Sequence, residues 1–179
     1  MIPLAPALLV AAANAFVGLG EDGGDNRGQM VELFLKEVHQ DPGQPWCAAF
    51  VYHVGHWSHY DHVAQRSTWP LKATASCAEL AKNALDDGIL KLEPHLGDVF
   101  LKFSKKLDRF AHTGIVVGLH DPDPHEDMGV YVCTTIEGNT NADGSANGHT
   151  TLRKVRRFST NNGDAFIRWV DLEWRKQAA

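Results

Sequence analysis

With 179 residues the chain has the length of a single domain, and 44% hydrophobic against 22% charged residues is the balance of a globular protein, which excludes a disordered or fibrous chain. A net charge of −5 argues against a partner held mainly through nucleic-acid phosphates, and the one basic cluster, Arg153, Lys154, Arg156 and Arg157, falls in a strand-like segment, as a solvated or wall-facing strand surface does. Three cysteines at irregular spacing form neither a disulfide framework nor a C-x-x-C metal knuckle, so at least one thiol is free.

The apolar opening, Met1 to Val17, lacks the basic start of a secretory signal and is too short to span a bilayer. It is expected to fold as a helix over Ala5–Phe16. Synthesis in the cytoplasm without membrane insertion is then expected, and any action outside the cell would need release or delivery. A glycine-rich loop follows, and Asp25-Asn26-Arg27-Gly28 offers N-cap chemistry to a second helix over Gly28–Val38. Pro45 suits the first turn of a third helix, on which Cys47, Phe50, Val51 and Val54 fall at i, i+3, i+4 and i+7. After a looser stretch, Ser58–Ala73, a fourth helix is predicted over Ser76–Asp87, closed by Gly88.

From Gly97 onward the texture is that of strands: Asp98–Phe103, Thr113–Leu119, Gly129–Ile136, Leu152–Phe158 and Ala165–Val170, with Asn162-Gly163 as a hairpin signal. The polar stretches 121–127 and 141–149 read as loops, the second a candidate wall for a cleft. Helices first and antiparallel strands second describe one α+β domain over residues 1–179.

Cysteine hydrolases need a thiolate, and a helix N-terminus lowers a thiol pKa because its unpaired N–H groups and macrodipole favour negative charge. Cys47 has that setting, and the same N–H groups could hold an oxyanion, with Gln44 a further donor nearby. Cys77 also lies near a helix start and Cys133 in a strand; both are expected to be structural. His112 is the best placed of ten histidines to act as base, with Gly114, Val116 and Gly118 on its strand face leaving room for a helix to approach. Glu137 and Asn139, in Glu137-Gly138-Asn139 after the next strand, point to one side, where either could orient the imidazole.

Five segments, in order and spacing, resemble the CHAP and NlpC/P60 cell-wall hydrolases. They are Gly20-Glu21 with Asn26-Arg27-Gly28, then Pro45-Trp46-Cys47-Ala48-Ala49-Phe50-Val51, Gly97-Asp98-Val99, His112-Thr113-Gly114-Ile115-Val116-Val117 and Ile136-Glu137-Gly138-Asn139-Thr140. The resemblance covers residues 5 to 170, and Leu96 stands where the family usually has proline.

It implies a papain-like fold, N-terminal helices packed on a C-terminal antiparallel sheet. Cys47 would be the nucleophile, His112 the general base and acid, Glu137 the orienting residue and Asn139 a supporting polar partner. Glu21 matches a recurrent acidic position near the cleft, and with Gln44 and Trp46 it forms the candidate substrate-binding set. The implied activity is that of a cysteine peptidase or amidase, cutting the stem peptide or cross-bridge of bacterial peptidoglycan. The setting would be a phage lysin, or an antibacterial effector with an immunity protein as partner. A transglutaminase-like acyl transferase and a catalytically silent wall-binding module are the alternatives.

Two other signals carry blander expectations. His53, His56, His59 and His62 recur every three residues without a cysteine or glutamate to complete a tetrahedral set. They read as a solvent-facing polar stripe, and no metal or other cofactor is expected. The acidic loop from Glu21 to Asn26 departs from the EF-hand pattern and reads as turn and capping residues.

Overall fold

A computed structural model describes residues 4–121, 127–142 and 148–172. The loops expected at 121–127 and 141–149 therefore lie partly outside the described residues.

Four helices precede the main sheet: α1 (Leu4–Ala15), α2 (Gln29–Glu37), α3 (Cys47–Ser58) and α4 (Cys77–Asp86). Helices α1, α2 and α4 begin and end within one residue of their predicted bounds. Helix α3 buries eight of its twelve residues, Cys47 to Val51 and His53 to Gly55, as a helix apolar nearly all round must. It lies at the centre, against α1, α2 and two strands of the sheet. Helix α4 is capped at its start by Ser76, whose hydroxyl accepts from the Glu79 N–H at 3.3 Å.

Helix α2 departs from the expected capping. Its N-cap is Gly28, at φ 120°, with no side-chain cap. Asn26 instead turns away to bond the 43 loop, its Nδ2 donating to Gly43 O while its own carbonyl accepts from the Gly43 N–H.

The histidine stripe is corrected too. His53 is buried among Phe16 and Phe34, and its Nδ1 lies 2.8 Å from Glu37 Oε2. Of the four, His62 alone, beyond the helix, is exposed. The three-residue repeat drifts around α3, so its members meet different surroundings.

A small hairpin, β1 (Tyr60–Asp61) with β2 (Arg66–Ser67), occupies the looser stretch. The main sheet comprises β3 (Leu90–Lys91), β4 (Val99–Ser104), β5 (Arg109–Leu119), β6 (Val130–Thr140), β7 (Thr150–Ser159) and β8 (Ala165–Ile167). Its order is β3-β8-β4-β5-β6-β7, with every pairing antiparallel. The protein is thus α+β. Among the described residues no helix is long and apolar enough to cross a membrane.

Asn162-Gly163 does make a turn, with Gly163 at φ 92°, but not a hairpin: β7 is the last strand of the sheet, whereas β8 lies between β3 and β4. The turn is pinned by Asp164, whose carboxylate accepts from Lys102 Nζ at 2.6 Å, the Phe103 N–H at 3.0 Å and the Ser159 N–H at 2.9 Å. These bonds draw the start of β8 onto β4.

The alternation of the strands divides the core in two. Val99, Leu101, Ile115, Ile136 and Ile167 face the helices and join Leu9, Phe34, Phe50 and Val54. Phe100, Val116, Cys133, Phe158 and Phe166 form a second, aromatic cluster on the other face. Gly114 belongs to that second face. A Cβ there would come within 2.7 Å of the Phe100 ring and 3.0 Å of Glu137 Cγ. The room this glycine provides is therefore filled by Phe100 and Glu137, and not by a helix as expected.

Candidate active site

Cys47 is the first residue of α3, following Trp46 as N-cap, so its thiol sits where the first-turn N–H groups have no partner within the helix. Trp46 holds that helix start from behind. It is fully buried, and its indole Nε1–H donates to Glu21 Oε1 at 2.9 Å. Trp46 and Glu21 thus brace the cysteine, and neither lines the cleft in front of it. Gln44 does.

The cleft has a volume of about 790 Å³, and its walls include Gln44, Cys47, Cys77, Arg109, His112 and Asn139. Cys47 shows only 5% of its surface.

His112 reaches Cys47 from β5. The strand begins at Arg109, four residues before the predicted Thr113, so His112 is inside it and held in register opposite Lys102 of β4. Its Nε2 lies 2.9 Å from Glu137 Oε2, which leaves Nδ1 free to serve the Cys47 thiol, whose proton affinity the ring is near enough to shift.

Glu137 is fully buried and saturated with donors. Besides His112 it accepts from Thr135 Oγ1 at 2.6 Å, from Arg156 Nε at 2.5 Å and from an Arg156 terminal nitrogen at 2.6 Å. Two-point binding by a guanidinium fixes the plane of a carboxylate as well as its charge.

The charges follow from this chain of contacts. Burial pushes the Glu137 pKa up, but bonds from His112 and Arg156 outweigh it and hold the group at about 2. Burial likewise pushes the His112 pKa down, and the bonds to Cys47 and Glu137 overcome it and raise it to about 9. The Cys47 thiol is held well below its usual range by its hydrogen bond to Cys77, and further, against burial, by His112 and the Thr113 backbone. These shifts all act in one direction, favouring a thiolate beside an imidazolium, backed by an ionised glutamate.

Sequence reasoning left either Glu137 or Asn139 as the partner of His112; the geometry brings Glu137 to it. Asn139 follows a register shift in β6, stands at φ 52° and lines the cleft. Its Oδ1, buried, makes no hydrogen bond among the described residues. Gly138 between them faces the other way, and a Cβ there would stand 2.6 Å from Trp46 and 2.7 Å from Phe50. Only glycine lets α3 lie this close to β6.

Two residues of the site were not foreseen in these roles. Arg156 looked like part of a solvated basic strand, and Cys77 like a small buried residue. Yet the Cys77 Sγ lies 3.6 Å from the Cys47 Sγ. A serine at the N-cap with glutamate three residues on does mark Cys77 as a helix-start thiol, but not its neighbour.

Among the described residues no group of three or more histidine, cysteine, aspartate or glutamate side chains could hold a metal ion. Fold and site together define an α+β protein with a Cys-His-Glu constellation at a helix N-terminus. No family model, no curated protein and no solved structure matches this chain.

Proposed function

We propose that this protein is a cysteine hydrolase that cleaves amide bonds in the peptides of bacterial peptidoglycan, on a papain-like arrangement of the CHAP and NlpC/P60 kind. The observation that carries the chemistry is the meeting of His112 and the Cys47 thiol in one cleft, with the far ring nitrogen of His112 held by Glu137 at 2.9 Å. The substrate class rests on the motif resemblance, and a cleft of about 790 Å³ leading to the thiol suits a peptide.

In the reaction the Cys47 thiolate attacks the amide carbonyl, and the first-turn N–H groups of α3 receive the charge that develops on its oxygen. The proton on His112 Nδ1 passes to the leaving amine as the C–N bond breaks, giving a thioester. His112 then removes a proton from water, which attacks the thioester, and the thiolate departs with the acid released. Glu137 keeps the imidazole oriented and charged, and Arg156 fixes the plane of that carboxylate.

The test is release of new amino groups from purified peptidoglycan by wild type, Cys47→Ala and Cys77→Ala, with the fragments weighed. Release by wild type, slower release by Cys77→Ala, which loses the hydrogen bond that lowers the Cys47 pKa, and none by Cys47→Ala are expected, and the fragment masses name the bond. Release by Cys47→Ala would overturn the nucleophile. Failure of the wild type on walls of different cross-link chemistry would overturn the substrate class.

A further inference from the structure

Two thiols from different parts of the chain meet in one cleft. Cys47 opens α3 and Cys77 opens α4, thirty residues apart in sequence, and their sulfur atoms lie 3.6 Å apart. Both line the cleft, with 5% and 6% of their surfaces exposed, enough for a small oxidant arriving through it. The hydrolytic reaction uses only one of them, so the second thiol needs its own account.

We propose that Cys47 and Cys77 are a reversible oxidation site, at which a peroxide converts the pair to an intramolecular disulfide. In the first step the Cys47 thiolate attacks a peroxide oxygen. The O–O bond breaks, hydroxide leaves, and the sulfur, oxidised by two electrons, becomes a sulfenic acid. In the second step the Cys77 sulfur attacks that sulfenic sulfur; an S–S bond forms, the S–O bond breaks, and the oxygen leaves as water with the Cys77 proton. The sulfurs must close from 3.6 Å to about 2.05 Å, a movement of about 1.5 Å.

The order of the steps follows from the charges. Cys47 is the sulfur whose pKa is lowered, so it is the more readily ionised and meets the peroxide first. Cys77 is held well above the usual thiol range chiefly by its hydrogen bond to Cys47, then by burial and by the charge of that neighbour. Conversion of Cys47 to a sulfenic acid removes that charge, and Arg109 at the same cleft favours ionisation of Cys77 for the second step. Cys133 is the internal contrast. It is fully buried in the aromatic cluster on β6, away from the cleft, and burial with the charge of Asp98 pushes it up to about 12.

The disulfide occupies the nucleophile's sulfur while sparing it from irreversible sulfinic acid, and a thiol reductant restores it. The pairing of the two sulfurs rests on their geometry and stands or falls separately from the hydrolytic reading.

The experiment treats the reduced full chain with hydrogen peroxide and follows it by intact mass and peptide mapping. Wild type and Cys133→Ser are expected to lose two hydrogens and yield a linked Cys47–Cys77 peptide. Iodoacetamide labelling of Cys47 is lost and returns with dithiothreitol. Cys77→Ser is expected to hold a sulfenic acid at Cys47 that dimedone traps, then to pass to sulfinic acid. Wild type that forms the dimedone adduct or the sulfinic acid at Cys47 with no linked peptide would overturn the proposal, as would a linkage through Cys133. Because wild type itself carries that readout, a poorly folding variant leaves the test intact.

Discussion

Replacing Glu137 by glutamine exchanges an oxygen for a nitrogen at nearly constant shape, and its effect follows from three distances. The carboxylate lies 2.9 Å from His112 Nε2, and Arg156 reaches its two oxygens at 2.5 and 2.6 Å. A unit charge at about 4 Å is worth about 4 kcal/mol at an effective dielectric constant of about 20. Arg156 offsets roughly half, leaving about 2 kcal/mol, which at about 1.4 kcal/mol per unit lowers the His112 pKa from about 9 by about one to two units. The imidazolium is among the groups that hold the Cys47 thiolate, so the cysteine loses acidity as well. The assay is iodoacetamide alkylation of Cys47 across pH, resolved by peptide mass, beside amide cleavage and a thermal melt. Glu137→Gln is expected to move the alkylation midpoint to higher pH and to cut cleavage by about a hundredfold to ten-thousandfold. A well-folded variant with an unmoved midpoint and unchanged cleavage would refute the orienting role.

The same groups set the pH range of the fold. Glu137 is depressed from 4.5 to about 2, so its contribution, about 3 kcal/mol, is fully present above pH 4.5 and is lost as pH falls through about 2. His112 is raised from 6.5 to about 9, so its contribution is fully present below pH 6.5 and is lost as pH rises through about 9. Because the depressed Cys47 pKa acts against the His112 contribution on the alkaline side, the clear signal is on the acid side: melting temperature is expected to fall below about pH 4.5, with that limb flattened in Glu137→Gln; a wild-type acid limb that the substitution leaves unaltered would contradict the assignment. Gly138→Ala inserts a Cβ 2.6 Å from Trp46 and 2.7 Å from Phe50, an overpacking of about 1–3 kcal/mol. Its melting temperature should drop by about 2–4 °C for each of those kcal/mol, whereas an unchanged melt would mean that α3 does not need this approach.

The local signals were legible where one period governed a whole element. The spacing of Cys47, Phe50, Val51 and Val54 marks α3 because this helix packs on its apolar positions, and its start was readable from Pro45. The strands after Gly97 were legible for the same reason, though β5 begins at Arg109 and β6 continues to Thr140, beyond their predicted ends. The order of the strands was not legible. Asn162-Gly163 carries the local chemistry of a hairpin, but Asp164 binds Lys102 and Phe103, more than sixty residues away in the chain, and that binding overrides it. Arg156 was hidden likewise: an alternating basic strand looks solvated until its neighbour β6 puts a buried carboxylate within reach. Cys77 needed the meeting of two helix starts, which no single segment encodes.

Glu137-Gly138-Asn139 shows why the readable motif and the unreadable packing meet at one place. The three residues share one stretch of β6 but answer to different surroundings. Glu137 faces the inner aromatic side of the sheet, where it holds the charge of His112; Gly138 faces α3 and sets how near the helix, and with it Cys47, can come; Asn139 turns at positive φ into the cleft wall. Nucleophile position and imidazole charge are thus set by adjacent residues on opposite faces of one strand. A side chain at 138 would therefore act on the chemistry by displacing Cys47 from a His112 that is itself unchanged, while a change at 137 would leave Cys47 in place and alter its proton. The two substitutions separate distance from charge in the same pair.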